Sequence, residues 1–326
     1  MNTTMNNRYD FVYLFDCKDG NPNGDPDAAN SPRIDPQDMR GLVSDVCLKR
    51  KIRNFVAIEK PDSDKHQIYV QHHGVLERVH KAAYEALGLN AVEDASVDEN
   101  SAEGDESSAE SGKKKGKSKR QAPGDVTKAK QWICERYYDV RTFGAVMSTK
   151  LFNAGQVRGA VQIAFSRSID SILPLDLSIT RVAVANEKEK LTKDTTMGRK
   201  NLIPYGLYRC HGFISAHLAN DTKFSDDDLA ILFRALCGRA SVKEELGSSM
   251  FDHDHSASRG TMAPQKLFVF KHQSALGNAP AHKLFERITI DRPKDLPPAR
   301  DFSDYKPYLK INRDGLSSNV DLIELL

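Results

Sequence analysis

Hydrophobic and polar positions along this chain predict a mixed fold with one long interruption. Residues 9–15 form an aromatic and aliphatic run that reads as a first strand. Residues 16–36 then carry Asn, Gly, Pro and Asp too densely to continue a sheet or start a helix, so the chain leaves the core in a shaped loop. Amphipathic spacing predicts helices over 38–56, 75–87 and 128–138, the first with Leu42, Val46 and Leu48 on its apolar side. Val157, Ala160, Val161, Ala164, Phe165 and Ile169 recur at helical spacing and predict a further helix over 156–172. Strands are expected over 177–186 and 203–215, with a long polar segment between them. Ser225-Asp226-Asp227-Asp228 is a helix start, and that helix should reach Leu236 with Gly238 just past its end. Strands over 266–272 and 283–290, and one more in the tail, complete the pattern.

Counted from the first strand, the order is β, a long insertion, α, β, β, α, β. That is the order of a ferredoxin-like or RNA-recognition-motif core in an α+β protein. Residues 1–19 and 151–326 would form the core, and residues 20–150 an inserted helical subdomain. Within the insertion, 96–124 has almost no large apolar side chain and carries its charge in two blocks. It has nothing with which to offset its ordering entropy and reads as disordered, either a solvated linker or an accessory tether for RNA.

Length and composition narrow the class. A chain of 326 residues holds one large domain or two ordinary ones, and one core with an excursion fits the order above. With 39% hydrophobic and 28% charged residues, the composition is that of a soluble globular protein. No apolar run approaches the roughly 20 residues a membrane helix needs, and residues 1–7 are too polar for a signal peptide. The five cysteines are scattered and lack a Cys-x-x-Cys pair, which points to reduced thiols in a cytoplasm. Net charge is only +2, so distribution matters more than the sum. Basic residues gather at 49–53, 113–120 and 188–200, the middle group offset by the acidic run before it.

Three regions have the chemistry of a polyanion site. Lys49 and Arg53 lie one helical turn apart beside Arg50, suited to adjacent phosphates or else to a solvated helix face. Arg141 and Phe143 offer a charge beside a stacking ring. They lead into Gly155 and Gly159, with Gln156, Arg158 and Gln162 nearby; the glycines either let a phosphate approach a helix start or pack helix on sheet. Residues 186–201 are too long for a tight turn and too polar for a core connection. An extended hairpin would hold a backbone with Lys188, Lys190, Lys193, Arg199 and Lys200, and Leu191 or Met197 would wedge between bases; the other reading is a floppy surface loop. Asp252-His253-Asp254-His255 has ligand-type side chains but no converging partners, and the Asp16–Asp25 loop has the wrong offsets for calcium. No metal or cofactor is expected.

The motifs together resemble one family. They are the loop at 21–27 with Pro32-Arg33-Ile34-Asp35, Lys49-Arg50-Lys51-Ile52-Arg53, and Arg141-Thr142-Phe143-Gly144. Gly155-Gln156-Val157-Arg158-Gly159, Met197-Gly198-Arg199-Lys200, the 204–208 run, Arg259-Gly260 and His282-Lys283-Leu284-Phe285 extend the match. This set is similar to the backbone subunit of type I-C CRISPR surveillance complexes (Cascade), in the Cas-seven superfamily, over nearly the whole chain except 96–124. The resemblance implies a modified RNA-recognition-motif palm, inserted helical fingers and a protruding thumb hairpin at 186–201. It also implies a cytoplasmic, non-catalytic scaffold that polymerises head to tail along a CRISPR guide RNA and leaves bases free to pair with target DNA. Its expected partners are guide RNA, target DNA, copies of itself, a large subunit and a guide-processing subunit. The residues expected to touch RNA are Asn21, Asn23, Arg33, Lys49, Arg50, Arg53, Arg141, Phe143, Gln156, Arg158, Gln162, Met197, Arg199 and Lys200. The enzymatic alternative is a metal-dependent endoribonuclease using Asp25 and Asp27 in the loop after the first strand.

Overall fold

The structure, a computed structural model, describes residues 4–91, 121–149, 151–190, 192 and 195–326. In chain order the first elements are β1 (Tyr9–Gly20), β2 (Gly24–Asp25), β3 (Ser31–Pro32), β4 (Arg40–Val43), α1 (Asp45–Glu59) and α2 (Leu76–Leu87). Next come α3 (Pro123–Arg136), α4 (Tyr138–Phe143), β5 (Gly144–Ser148), β6 (Asn153–Arg158), β7 (Val161–Ile163) and β8 (Ser166–Ser171). They are followed by β9 (Leu175–Arg181), α5 (Glu187–Lys190), β10 (Thr196–Ile214), α6 (Ala216–Thr222) and α7 (Asp226–Cys237). The last are β11 (Thr261–His272), α8 (Ala281–Phe285), β12 (Ile288–Ile290), β13 (Leu309–Ile311) and β14 (Val320–Glu324). Two compact units result. A sheet unit comprises Asn6–Phe55, Gln162–Ser215 and Leu229–Leu326, and a helical unit comprises Met1–Met5, Val56–Val161 and Ala216–Asp228.

The sheet unit is built on the strand order β14-β11-β1-β10-β8-β4, with β7 and β9 also pairing with β10. β1 sits between β10 and β11, antiparallel to both, in registers that include Tyr13 opposite Cys210 and Leu267. Its run is almost continuously apolar because both of its faces are covered. Val12 and Leu14 join Leu207, Phe268, Phe270, Phe285 and Ile288 in one core. On the other face Phe15 stacks on Tyr208 with centroids 5.4 Å apart and lies 5.6 Å from Phe251. The polar residues inside are paired: Asp10 with His272 at 2.9 Å, and Asp16 as acceptor from Tyr205 and Gln265 at 2.9 Å each. Burial pushes the Asp16 carboxyl up despite those two bonds.

The helical unit packs α2 and α3 with β6 around Tyr84, Ala129, Ile133, Val140, Met147 and Val157. Gly144, at φ +82°, and Gly159 bring two backbone stretches together. A Cβ on Gly159 would lie 2.3 Å from the Gly144 nitrogen.

Several expectations hold. The strands at 9–15, 203–215 and 266–272 lie within or across β1, β10 and β11, α2 lies on its forecast stretch, and α3 covers 128–136 of the forecast 128–138 but starts earlier. The start of α7 is a reciprocal cap, with the Asp228 N–H donating to Ser225 Oγ and the Ser225 N–H to Asp228 Oδ2; Gly238 follows the helix at φ +81°.

Others fail for physical reasons. The helix forecast over 156–172 is instead the end of β6, then β7 and β8. Gly155, at φ +72°, and Gly159 break the helical run. The buried polar positions of β8 are Ser166 and Ser168, so its period-two alternation is hidden behind small side chains. The forecast helix at 38–56 starts later, because residues 40–43 pair with β8 as β4, and Val46 on its apolar face is 64% exposed. The strand forecast over 283–290 is α8 followed by the short β12, and the tail holds two strands, β13 and β14. Helix α3 already begins at Pro123, inside the forecast disordered stretch. Residues 96–120 of that stretch lie outside the described residues, as do residues 191, 193 and 194 of the forecast hairpin.

Candidate nucleic-acid interface

Strand β1 ends where its hydrogen bonding is taken over by a second loop. The Asn21 N–H donates to the Ser258 carbonyl at 2.7 Å, and a Cβ on Gly20 would stand 2.0 Å from the Arg259 carbonyl oxygen. Gly260, at φ +62°, turns the second loop back toward β11 against Lys18 and Asp19. The post-β1 loop is held on its other side by Ser44, just before α1, whose N–H and hydroxyl both donate to Asn23 Oδ1 at 2.8 Å. Both loops and α1 therefore converge on one place within the sheet unit.

They enclose a cleft of about 840 Å³, to which Asn21, Asn23, Arg33, Arg50, Phe165 and Arg259 contribute. Arg50 is exposed on α1. Arg33 is partly exposed and pairs with Asp25 at 3.4 Å. Beneath them Lys51, 4% exposed, pairs with Asp254, whose other oxygen accepts from Arg259 at 2.9 Å. One carboxylate shared by two cations leaves the wall net positive, as a phosphate chain requires. Phe165 is 58% exposed, a free ring at the cleft. Asn21 is oriented by Nδ2, which donates to the Asn30 carbonyl at 2.6 Å; its Oδ1 is buried and finds no donor among the described residues. An unmet buried acceptor costs about 1–3 kcal/mol.

Beside this loop the chain forms the forecast hairpin, although it begins earlier than expected. β9 and the first part of β10 pair from Leu175–Leu202 out to Arg181–Thr196. At its root the Asn201 side chain donates to the Ala29 carbonyl and the Ser31 hydroxyl at 3.3 and 3.2 Å. Opposed residues of an antiparallel ribbon share a face. Leu177 with Lys200 and Ile179 with Gly198 occupy one side; Ser178 with Arg199 and Thr180 with Met197 occupy the other. Leu177, Ile179 and Met197 are 44%, 51% and 74% exposed, and Arg199 pairs with Asp176 at 3.4 Å.

Of the forecast contact residues, the structure thus gathers Asn21, Asn23, Arg33 and Arg50 in one cleft and sets Met197, Arg199 and Lys200 on the ribbon. Lys49 lies on α1 but is bound to Asp45 at 2.7 Å, and Arg53 is half-buried on the same helix. Arg141 and Phe143 need correction: they are buried at 4% and 7% exposure inside the helical unit, so they offer no surface charge beside a ring. Arg141 is held by Asp228 and by the carbonyls of Cys134 and Lys65. Gln156 and Arg158 are exposed on β6, whereas Gln162 is on β7; the helical i, i+4 relation between Arg158 and Gln162 does not exist. Gly159 serves backbone packing. Asp25 is spent on Arg33 and on the Asp27 N–H, while Asp27 is exposed. Asp254 is taken by its two cations, and Asp252 caps Ser249 at 2.7 Å.

Phe165, Arg259, Lys51 and Asp254 also belong to the cleft and were not among the forecast contact residues. Phe165 was hidden as a core position of a helix that does not form; reading 161–169 as alternating would have exposed it. Arg259 and the buried Lys51–Asp254 pair carry no local signal, because loop closure alone brings residues 51 and 254 together.

The family model of CRISPR-associated protein Cas7 matches residues 7–310. The chain belongs to the Cas7 family. A Cas7 protein from Haloferax volcanii is 26% identical over 270 residues, spanning 75% of this chain and 68% of its own. Among solved structures, a chain of a CRISPR RNA-guided surveillance complex in a pre-nicking state aligns with TM-score 0.46 and 14% identity, over 81% of this chain and 78% of that one. A second CRISPR RNA-guided surveillance complex gives TM-score 0.41 and 13% identity, covering 81% and 68%. Among the described residues of this Cas7-family chain, no helix is long and apolar enough to cross a membrane.

Proposed function

We propose that this chain is a non-catalytic, cytoplasmic scaffold subunit of a type I-C CRISPR surveillance complex, laid head to tail along a guide RNA. The sheet unit acts as palm, the β9–β10 ribbon as thumb and the helical unit as fingers. Guide bases are left free to pair with target DNA, and a large subunit and a guide-processing subunit complete the assembly. Membership of the Cas7 family supports this reading, and the strand order β11-β1-β10-β8 supports a ferredoxin-like core. The observation that carries it is the cationic cleft, where Arg33, Arg50 and Arg259 stand around an exposed Phe165 and an unmet Asn21 oxygen. Charge for phosphates beside a ring for stacking is what single-stranded RNA binding needs.

Nuclease footprinting on a long guide-like RNA tests the proposal. Regularly spaced protection that extends stepwise with protein concentration is expected. Arg50→Glu should weaken it about tenfold or more and lower the salt dependence of binding. A single short footprint sinks the scaffold reading. Metal-dependent cleavage abolished by Asp27→Ala would instead establish the endoribonuclease, against which stands the engagement of Asp25 by Arg33.

A further inference from the structure

Phosphate chemistry does not account for the whole cleft. Asn21 is 5% exposed and locked by its Nδ2 bond to the Asn30 carbonyl, so the atom left over is an acceptor, Oδ1. Arg33 lines the same cleft with the opposite need: its Nη2 pairs with Asp25, while its buried Nε has no acceptor among the described residues. A phosphate oxygen only accepts. It satisfies Arg33 and leaves Asn21 unmet. A hydroxyl both donates and accepts, and so answers both.

The donors a nucleic acid offers are base N–H groups and the ribose 2′-OH. Base donors change with sequence. A scaffold that holds guides of any sequence needs a donor present on every nucleotide, and only the 2′-OH is that. We propose that Asn21 reads the ribose. Its carboxamide oxygen accepts from the 2′-OH of a nucleotide seated in the cleft, Arg33 Nε donates back to the same hydroxyl, and Phe165 stacks on the neighbouring base. Both atoms are shut off from water, so the hydroxyl reaches them as the loop shifts. Residues 26–28 of that loop are exposed and lack the apolar burial that would resist such a shift, while Asn30 keeps its bond to Asn21. This inference rests on the cleft being an RNA seat, and it adds that the seat selects RNA over DNA.

The test compares binding of the full chain to one short oligonucleotide made as RNA, as 2′-fluoro RNA and as DNA. 2′-Fluoro RNA keeps the A-form sugar pucker but has no donor. If Asn21 reads the hydroxyl, 2′-fluoro RNA binds about fivefold weaker than RNA, for one neutral hydrogen bond lost, and DNA, which also gives Arg33 Nε no acceptor, binds at least that much weaker. Asn21→Ala then brings RNA and 2′-fluoro RNA closer together while their salt dependence stays the same, and DNA, which also offers Arg33 Nε no acceptor, stays weaker. If 2′-fluoro RNA binds like RNA, sugar shape rather than the hydroxyl is read and the proposal falls. Equal binding of all three to the unaltered chain also overturns it, yet leaves the scaffold reading standing. Loss of all binding overturns both. The ligand series decides the matter by itself if Asn21→Ala does not fold.

Discussion

Arg141 grips Asp228 in a two-pronged ion pair, Nη2 to Oδ1 at 2.7 Å and Nε to Oδ2 at 3.1 Å, inside the helical unit. Burial pushes the Asp228 carboxyl up, but hydrogen bonds from His66 and Arg141 outweigh it and bring its pKa down to about 2. Removing one partner of such a pair strands a buried charge. Arg141→Ala should therefore cost about 3–5 kcal/mol in chemical denaturation, with RNA affinity per folded molecule unchanged. Lost affinity at unchanged stability would return Arg141 to the interface.

The same pair sets an acid limit. Because the folded carboxyl titrates below its unfolded value near 3.8, its contribution of about 2 kcal/mol is full above that pH and fades as pH falls toward 2. Unfolding free energy followed between pH 5 and 2 should drop more steeply in the parent than in Asp228→Asn, which has no carboxyl to titrate. Equal slopes would show that the pair is not linked to acid unfolding.

His211 predicts a milder loss nearer neutrality. It stacks on Phe285 at 4.3 Å, and its Nε2 accepts from Arg209 Nε at 3.0 Å, an arrangement open only to the neutral ring. Burial and the Arg209 charge pull its pKa down to about 4. A base that titrates lower when folded is destabilising once the unfolded form takes up its proton. Melting temperature should thus fall as pH drops from about 7 toward 4. His211→Gln, which keeps an acceptor for Arg209, should flatten that dependence across the same range.

Gly260 tests the cleft's construction. At φ +62°, with a Cβ position 2.3 Å from the Lys18 carbonyl oxygen, it has no room for alanine. Gly260→Ala should displace the 254–259 loop, lower the melting temperature and weaken RNA binding together. A variant with parent-like melting and binding would mean that the loop closure does not hold the cleft.

Met197 separates function from folding on the ribbon. At 74% exposure its replacement by Ser should change stability by less than about 0.5 kcal/mol. If the ribbon is the proposed thumb and Met197 its wedge, the regular spacing of the RNA footprint should blur. An undisturbed footprint would move the wedge to the Leu177 and Ile179 side of the ribbon.

What the chain determined by itself is local and periodic. The run at 9–15 had to be a covered strand, the Asn, Gly and Pro density after it had to be a loop, and Ser225 with Asp228 had to start a helix. The ribbon was legible as one of two readings, because its polar length fitted only an extended hairpin or a surface loop. What tertiary structure decided is everything set by long-range pairing. Residues 156–172 have helical spacing, yet they lie in strands because β5, β10 and β4 offer them pairing edges, and Ser166 and Ser168 fill the buried positions that apolar residues would have announced. Arg141 looked like a phosphate contact and became a buried partner of Asp228, 87 residues away. The cleft joins residues 21, 33, 50, 165 and 259, distances along the chain at which no local propensity operates. Charge can be read from a sequence, but whether a charge meets water, a carboxylate or a ligand depends on which segments the fold brings against it.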